Sequence, residues 1–424
     1  MRIYQSEDHA FDANVASFVN NRDLPRHRWY EFKEGFSEGL VAAAIETLAG
    51  GRRPPRLLDP FVGSGTTLVT GGKMGLAGTG IEVNPFLRFA ASAKCSARMT
   101  DRQMLSARIR ALAHRALIER PSPVEGLSTF TERHGLDKWL FNRSVLRGFE
   151  AIDSGLDLAV ASDRALRLAL FAALQDCSNA KRDGKCLRYR DGWREQGYTS
   201  RELREAFVTR ATVVADDLCS VPFKGRGLKI IPGDARTALT SLPKNEFDLI
   251  VTSPPYLNSF DYSDVYRPEM FVGKFVETNS QLRDVRLQTI RSHVQVKWTA
   301  ADGVPRNALV AGVLKELEGR PMWNRRIPAM IHSYFVDMQL VLRELHRVAR
   351  RGAVAWFVVS TSAYAGVHVP VDFVLAEIAA EAGWKVRELY VLRELRASGQ
   401  HFKRYLAVGA RPPLRESLLV FERK

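Results

Sequence analysis

Residues Arg56–Pro85, RLLDPFVGSGTTLVTGGKMGLAGTGIEVNP, limit the fold more than any other stretch of the chain. Leu57 and Leu58 make a short apolar strand. Asp59-Pro60-Phe61 leads into the glycine-rich loop Val62-Gly63-Ser64-Gly65-Thr66-Thr67, and a helix is expected from about Thr67 to Met74. A second strand, Thr79–Val83, carries Glu82 near its tip, with Asn84 just beyond. The order is strand, glycine loop, helix, strand. Glycines let the backbone turn tightly and approach a ligand closely, and an acid at the end of the second strand can accept both hydroxyls of a ribose. The Lys-Ser/Thr ending of a phosphate loop is absent, and so is the G-x-G-x-x-G dinucleotide spacing.

The second informative stretch is Phe247–Tyr256, FDLIVTSPPY. Phe247, Leu249, Ile250 and Val251 form an apolar, β-branched run that fits a strand buried on both faces. It stops on Thr252-Ser253-Pro254-Pro255-Tyr256. Two prolines fix φ and supply no N–H, so the chain leaves the sheet stiff and extended. Two readings fit: a strand that ends in a proline-rich turn, or acceptors beside a flat aromatic surface, suited to the exocyclic amino group of a base.

Composition narrows the class. With 424 residues, 46% hydrophobic and 26% charged, the chain reads as soluble and globular, with room for one large or two ordinary domains. A net charge of +15 points to an acidic partner, of which nucleic acid is the usual one. Cys95, Cys177, Cys186 and Cys219 are scattered without C-x-x-C spacing, which argues against a metal site or a disulfide framework and fits a reducing cytoplasm. No apolar run reaches membrane-spanning length, and MRIYQSEDHAF is not a signal peptide.

Along the chain, residues 1–26 read as a polar, partly ordered lead-in. Trp29, Tyr30, Phe32 and Phe36 then precede a helix with Ser37 as N-cap, its face made by Leu40, Val41, Ala44, Ile45 and Leu48 and its end at Gly50-Gly51. Those aromatics suit either core packing or a wall over a flat cofactor. Residues 90–221 read as mostly helical, with segments at Met104–Ile118, Leu136–Ile152, Arg164–Leu174 and Arg201–Leu218. Within them Asn179–Arg204 mixes Lys and Arg with Tyr189, Trp193 and Tyr198. That mixture suits a surface for phosphates and bases or a solvated loop.

The sheet resumes at Leu228–Ile231, with Asp234 placed to accept from an adenine amino group. After the FDLIVTSPPY strand, Leu257–Pro328 shows no clear periodicity and holds Arg283, Arg286, Arg291, His293, Lys297, Arg306, Arg325 and Arg326. Met330–Arg350 (helix), Ala353–Val359 (strand), Val371–Ala382 (helix), Lys385–Leu392 (strand) and Ser417–Phe421 (strand) follow, the last expected as an edge partner of its predecessor. The fold class is α/β: a doubly wound, Rossmann-like, mostly parallel sheet with an antiparallel C-terminal strand and a helical insertion. The expected division assigns 1–100, 223–256 and 329–424 to a catalytic domain. Residues 101–222 form the helical insertion and 257–328 a basic insertion, the two together expected to read the substrate.

DPFVGSGTT, GIEVNP and TSPPY together resemble the amino-methylating DNA methyltransferases of the SPPY type, over about residues 27–95 and 228–424. The aromatic stretch upstream and the closing ESLLVF are similar as well. The resemblance implies a Rossmann-like methyltransferase fold and S-adenosylmethionine as cofactor. It also implies double-stranded DNA as partner, a possible cognate restriction endonuclease, and a prokaryotic cytoplasmic setting. It implies that Asp59, Phe61, Gly63, Ser64, Gly65, Thr66 and Thr67 line the methionine end of the cofactor. Glu82 would hold the ribose with Asn84 nearby, Asp234 would meet the adenine, and Trp29, Tyr30, Phe32 and Phe36 would close over that side. Ser253, Pro254, Pro255 and Tyr256 would hold the target base. Ser as the first residue of the proline motif leans toward N4 of cytosine, and N6 of adenine is the alternative. Ring-carbon methylation would need a nucleophilic Cys, usually after a proline, and none of the four cysteines follows one. The family's cytosine-N4 enzymes with such a loop often place it after SPPY; here it comes first. An RNA base-amine methyltransferase and a catalytically silent DNA-binding subunit are the competing readings.

Overall fold

The structure is a computed structural model that describes residues 1–424 except 13, 49–50, 52, 99, 184–185, 303–305 and 396–413. Gly50 and Lys185 therefore lie outside the described residues. Among the described residues there are twelve strands. Eight form the main sheet: β1 (Arg2–Tyr4), β2 (Leu57–Asp59), β3 (Gly78–Glu82), β6 (Leu228–Pro232), β7 (Phe247–Thr252), β8 (Ala349–Ser360), β11 (Trp384–Glu394) and β12 (Arg415–Arg423). β4 (Ala180–Asp183) with β5 (Cys186–Tyr189), and β9 (Ser362–Tyr364) with β10 (Val367–Val369), make two separate hairpins.

The sheet order is β1-β11-β12-β8-β7-β2-β3-β6. From β8 to β6 the neighbours are parallel, whereas β12 runs antiparallel to both β8 and β11. From β2 the chain first builds outward to β3 and β6, then returns to add β7 and β8 on the other side. β2 and β7 therefore flank the point where strand order reverses, and the crevice at their carboxyl ends is where open α/β sheets bind ligands. Both motif loops leave from there.

The doubly wound class is what the sequence implies, but two placements differ. The C-terminal strand is not an edge. Leu418 through Phe421 are apolar and alternate between two buried faces, Leu419 and Phe421 on one and Leu418 and Val420 on the other, as suits an interior strand, and β12 sits between β8 and β11. The edge is occupied instead by β1, from the lead-in expected to be only partly ordered; it pairs in parallel with Glu388–Tyr390, and Tyr4 stacks on Tyr390 at 4.7 Å.

Helices start where capping side chains permit. Ser37 accepts from the Leu40 N–H at the head of Glu38–Glu46, a shorter helix than its apolar pattern predicts, leaving Leu48 outside. The helix expected from Leu136 begins only at Arg143, because Leu140 and Phe141 donate their N–H groups to the carbonyls of Thr129 and Phe130. The stretch 257–328 is also more regular than its lack of periodicity implies. It contains helices Tyr262–Val265, Arg267–Val272, Asn279–Leu287 and Ala308–Leu317, three of them capped by Asp261, Thr278 and Asn307.

The helical insertion is not set apart from the sheet. Helices Arg102–Arg115, Arg143–Asp153, Ala161–Asp176 and Ser200–Ser220 share one apolar cluster with helix Pro85–Ser96 and with Phe260, Tyr266 and Phe271. Burial here overturns part of the expected nucleic-acid surface. Arg182 is almost wholly buried, 2.7 Å from Glu269 and 2.6 Å from the Tyr30 hydroxyl, with its guanidinium 4.2 Å over the Tyr266 ring. Trp193 packs edge-on to Trp139, and Tyr189 lies against Trp193. Arg286 is paired with Asp261 and Asp264, Arg291 with Asp337, and Arg326 donates to the carbonyls of Val294 and Val296. These cations hold the protein together. Removing one partner of a buried pair leaves the other charge unmatched, at a cost of about 3–5 kcal/mol. Arg182→Ala should accordingly lower unfolding free energy by about that amount in urea titrations, while leaving the salt dependence of nucleic-acid binding unchanged.

Candidate active site

The glycine loop and the proline corner open into one cavity of about 320 Å³ at the carboxyl edge of β2, β3 and β7. One wall is made by Phe32, Phe36, Asp59, Phe61, Gly63, Thr66, Glu82, Asn84 and Asp234, and the other by Ser253, Pro254, Pro255 and Tyr256. Tyr262 and Ser263, with Gln288, Thr289, Ile290, Ser292 and His293, also line the cavity. Arg393 and Glu416 close the end beyond Tyr256.

The floor is fixed by Asp59. Its carboxylate accepts from the Thr67 hydroxyl at 2.7 Å, the Thr252 hydroxyl at 2.6 Å and the Phe61 N–H at 3.0 Å. Thr67 also donates to the Val251 carbonyl. Burial raises the Asp59 carboxyl to about 6, although these three donors oppose the rise. Thr67, Ser64 and Gly65 lie under the cavity surface. They shape the loop but do not line the space above it.

Gly63 and Gly65 have φ of +51° and +97°, a region that costs other residues strain. At Gly63 there is a second constraint. A Cβ there would come within 2.8 Å of the Phe32 ring, which is tilted against Tyr266 at 5.8 Å. Phe32 thus leans over the glycine turn.

Glu82 ends β3 with one oxygen accepting from the Gly63 N–H at 2.9 Å and the other from the Asn84 N–H at 2.7 Å. A carboxylate has about four lone-pair sites, so two remain for a diol in the cavity. Burial lifts Glu82 to about 7, with the Asp59 charge adding to the rise and the backbone donors opposing it. Asn84 is taken up as the N-cap of Pro85–Ser96, accepting from Phe86 and Leu87. Asp234 similarly caps Ala235–Ala238 and is gripped by the Arg236 guanidinium at 2.6 Å, while Arg236 also reaches Asp337.

Trp29 and Tyr30 do not join the cavity, a correction to the aromatic wall expected from the sequence. The Trp29 indole donates to the buried Asp217 at 2.8 Å, and the Tyr30 hydroxyl meets Arg182 and Gln175. Each aromatic ring carries a polar tip that found a buried partner, so both turn into the core. Phe32 and Phe36, which lack that tip, face the cavity.

On the other wall Tyr256 is half-buried. Its hydroxyl touches Ser253 and Glu416, and burial, with the Glu416 charge adding to it, pushes the phenol well above its ordinary value. Its N–H donates to the Tyr262 hydroxyl at 3.4 Å. The sequence carries no signal for Arg236 and Tyr262 in this cavity, and only a weak one for Arg393 and Glu416, opposite charges at the facing ends of the last two strands.

Both raised carboxyls have a consequence for stability. Between about 4.5 and 7 the native Glu82 holds a proton that the unfolded chain, with its ordinary value, has released. The native state binds more protons, so stability falls as pH rises through that window. In ligand-free protein the fall should be visible in urea denaturation between pH 5 and 8, and Glu82→Gln should flatten it.

No family model matches the sequence. Among individual proteins, the type II methyltransferase M.BsoBI of Geobacillus stearothermophilus is 26% identical, the alignment covering 98% of this chain and 89% of that protein. M.AvaI of Nostoc sp. is 25% identical over 92% of this chain and 85% of its own length. M.MvaI of Kocuria varians is 22% identical over 88% and 84%. The solved structure of TrmN from Thermus thermophilus aligns with 91% of this chain and 49% of its own at 12% identity and a TM-score of 0.30, too loose to bear on function. The alignments with the three methyltransferases span far more than the motif-bearing residues 27–95 and 228–424. Over most of its length, the chain is similar to type II methyltransferases.

Proposed function

We propose that this chain is an S-adenosylmethionine-dependent DNA methyltransferase that acts on the exocyclic amino group of a flipped-out base, N4 of cytosine. The observation that supports it most is the shared cavity: Gly63 and Pro254 face the same space, so a methyl donor and an amino nitrogen can meet there. The relatives' description as type II methyltransferases supports the class of reaction. The basic charge of +15 suits DNA as the partner.

The residues fit the cofactor. Glu82 keeps two acceptor sites for ribose hydroxyls, and Phe32 offers an apolar face beside the glycine turn. Bound there, S-adenosylmethionine would supply a methyl group on an electron-poor sulfonium. Gly63 and its neighbours would take the methionine end, Glu82 the ribose, and the surface around Asp234 the adenine. Since Asp234 already holds Arg236, its part is to fix that wall.

The proline corner deals with the acceptor. An exocyclic amino nitrogen is a poor nucleophile because its lone pair is delocalised into the ring. The Pro254 carbonyl and the Ser253 side chain accept its N–H hydrogens and favour the pyramidal nitrogen, whose lone pair is free. Fixed dipoles in a site shielded from water stabilise the transition state in this way, and the rigid corner aligns the reacting atoms. Tyr256 gives the extruded base a ring to stack on, offsetting part of the few kcal/mol that flipping costs.

Ser253→Ala should reduce kcat by about a hundredfold, as for loss of one preorganised polar group, with little change in cofactor affinity measured by calorimetry. Glu82→Ala should do the reverse, weakening cofactor binding first. Methylation-aware sequencing of DNA from cells that express the protein tests the reading as a whole. N4-methylcytosine at a fixed sequence is the expected result, N6-methyladenine would move the reaction to the other base, and unmodified DNA would end the proposal.

A further inference from the structure

One pair of residues in the cavity has no part in the roles above. Arg393 lies at the end of β11 and Glu416 at the start of β12, and they are direct register partners. Opposed residues on antiparallel strands project from the same face, and the Arg393 Nε lies 2.5 Å from Glu416 Oε2. Because β12 is antiparallel to both β8 and β11, and β8 is parallel to β7, β11 runs in the direction of β7. Arg393 therefore emerges at the same sheet edge as the proline corner.

The contacts along that wall form a row. Ser253 touches the Tyr256 hydroxyl, the Tyr256 hydroxyl touches Glu416, and Glu416 holds Arg393. All four line the cavity. Acceptors stand at one end of the row and a fixed cation at the other. Among the described residues the terminal nitrogens of Arg393 have no hydrogen-bond partner, and the side chain is one-third exposed and lines the cavity. Glu416, itself 7% exposed, is occupied in orienting it.

A flipped cytosine displays an amino donor, then the N3 acceptor, then the O2 acceptor along one edge. Adenine displays an amino donor, an N1 acceptor and then a C–H. We propose that Arg393, held in place by Glu416, is the specificity-determining residue for the target base. In this arrangement its guanidinium donates to N3 and O2 of a cytosine whose amino group sits at the Ser253–Pro254 corner. The inference rests on the base-amine reading above and adds to it a reason for choosing cytosine. A planar fork of donors matches two adjacent acceptors, which a single ammonium does not. With adenine one guanidinium N–H would face a C–H, and a site built to hydrogen-bond one group discriminates strongly against an analogue that lacks it.

The test uses the full chain and two duplexes that carry its methylated sequence, one with cytosine and one with adenine at a mismatched target position. Arg393→Gln should lower kcat/KM for the cytosine duplex by about 5- to 150-fold, the range for loss of one bidentate contact to a base. The slower adenine reaction should stay within about twofold, and cofactor affinity should not change. Arg393→Lys keeps the charge without the fork. It should shift the same ratio in the same direction, and it serves if the Gln variant does not fold. An equal loss on both duplexes overturns the proposal. So does a drop of about one in the slope of log affinity against log salt, which would mark a phosphate contact, or a loss of cofactor binding. Wild-type protein that methylates neither duplex sinks the methyltransferase reading itself, and this proposal with it, before any variant is made.

Discussion

The architecture turns on one buried carboxylate. Asp59 ends β2, and its two oxygens hold the Thr67 hydroxyl on one side and the Thr252 hydroxyl on the other. Thr67 sits in the first turn of the helix behind the glycine loop, and Thr252 is the last residue of β7 before the proline corner. Two loops nearly two hundred residues apart in sequence are thus tied to a single group. A neutral side chain of similar size could bridge the threonines less strongly, since hydrogen bonds to a charged acceptor are about twice as strong as neutral ones. Isolating such a group from water raises its proton affinity. The raised Asp59 therefore reflects the cost of making a rigid joint out of a charge.

Much of this was legible in the sequence because it is local. The glycine turn needs positive φ at Gly63 and Gly65, and only their residue type supplies it without strain. The strand Phe247–Thr252 has no polar residue that would demand water on either face except Asp248, which anchors the Arg56 N–H and Arg53 at the sheet's far end. Capping residues such as Ser37 and Asp234 mark helix starts because their side chains bond to backbone two or three residues away.

What was not legible depends on partners distant in sequence. An aromatic residue beside a glycine loop carries no label for wall or core; Asp217 and Arg182 decided the matter for Trp29 and Tyr30. Arginines in an apparently irregular basic stretch look free until Asp261, Glu269 and Asp337 are found opposite them. The same holds for Arg393 and Glu416, which become neighbours only once two strands pair. Net charge could indicate the kind of partner to expect, but not which cations are available to meet it.

The placement of β12 has a consequence for how the molecule is made. Its nine residues fill the gap between β8 and β11, so until residue 423 has left the ribosome those two strands expose unpaired backbone to each other. Parallel β2, β3, β6 and β7 can assemble earlier, but the half of the sheet that carries Arg393 cannot. Nascent chains would hold an open, strongly apolar slot during that interval, a surface on which chaperones act and into which a strand of a neighbouring chain could slip. The end of the cavity beyond Tyr256 is then the last part of the active site to take shape.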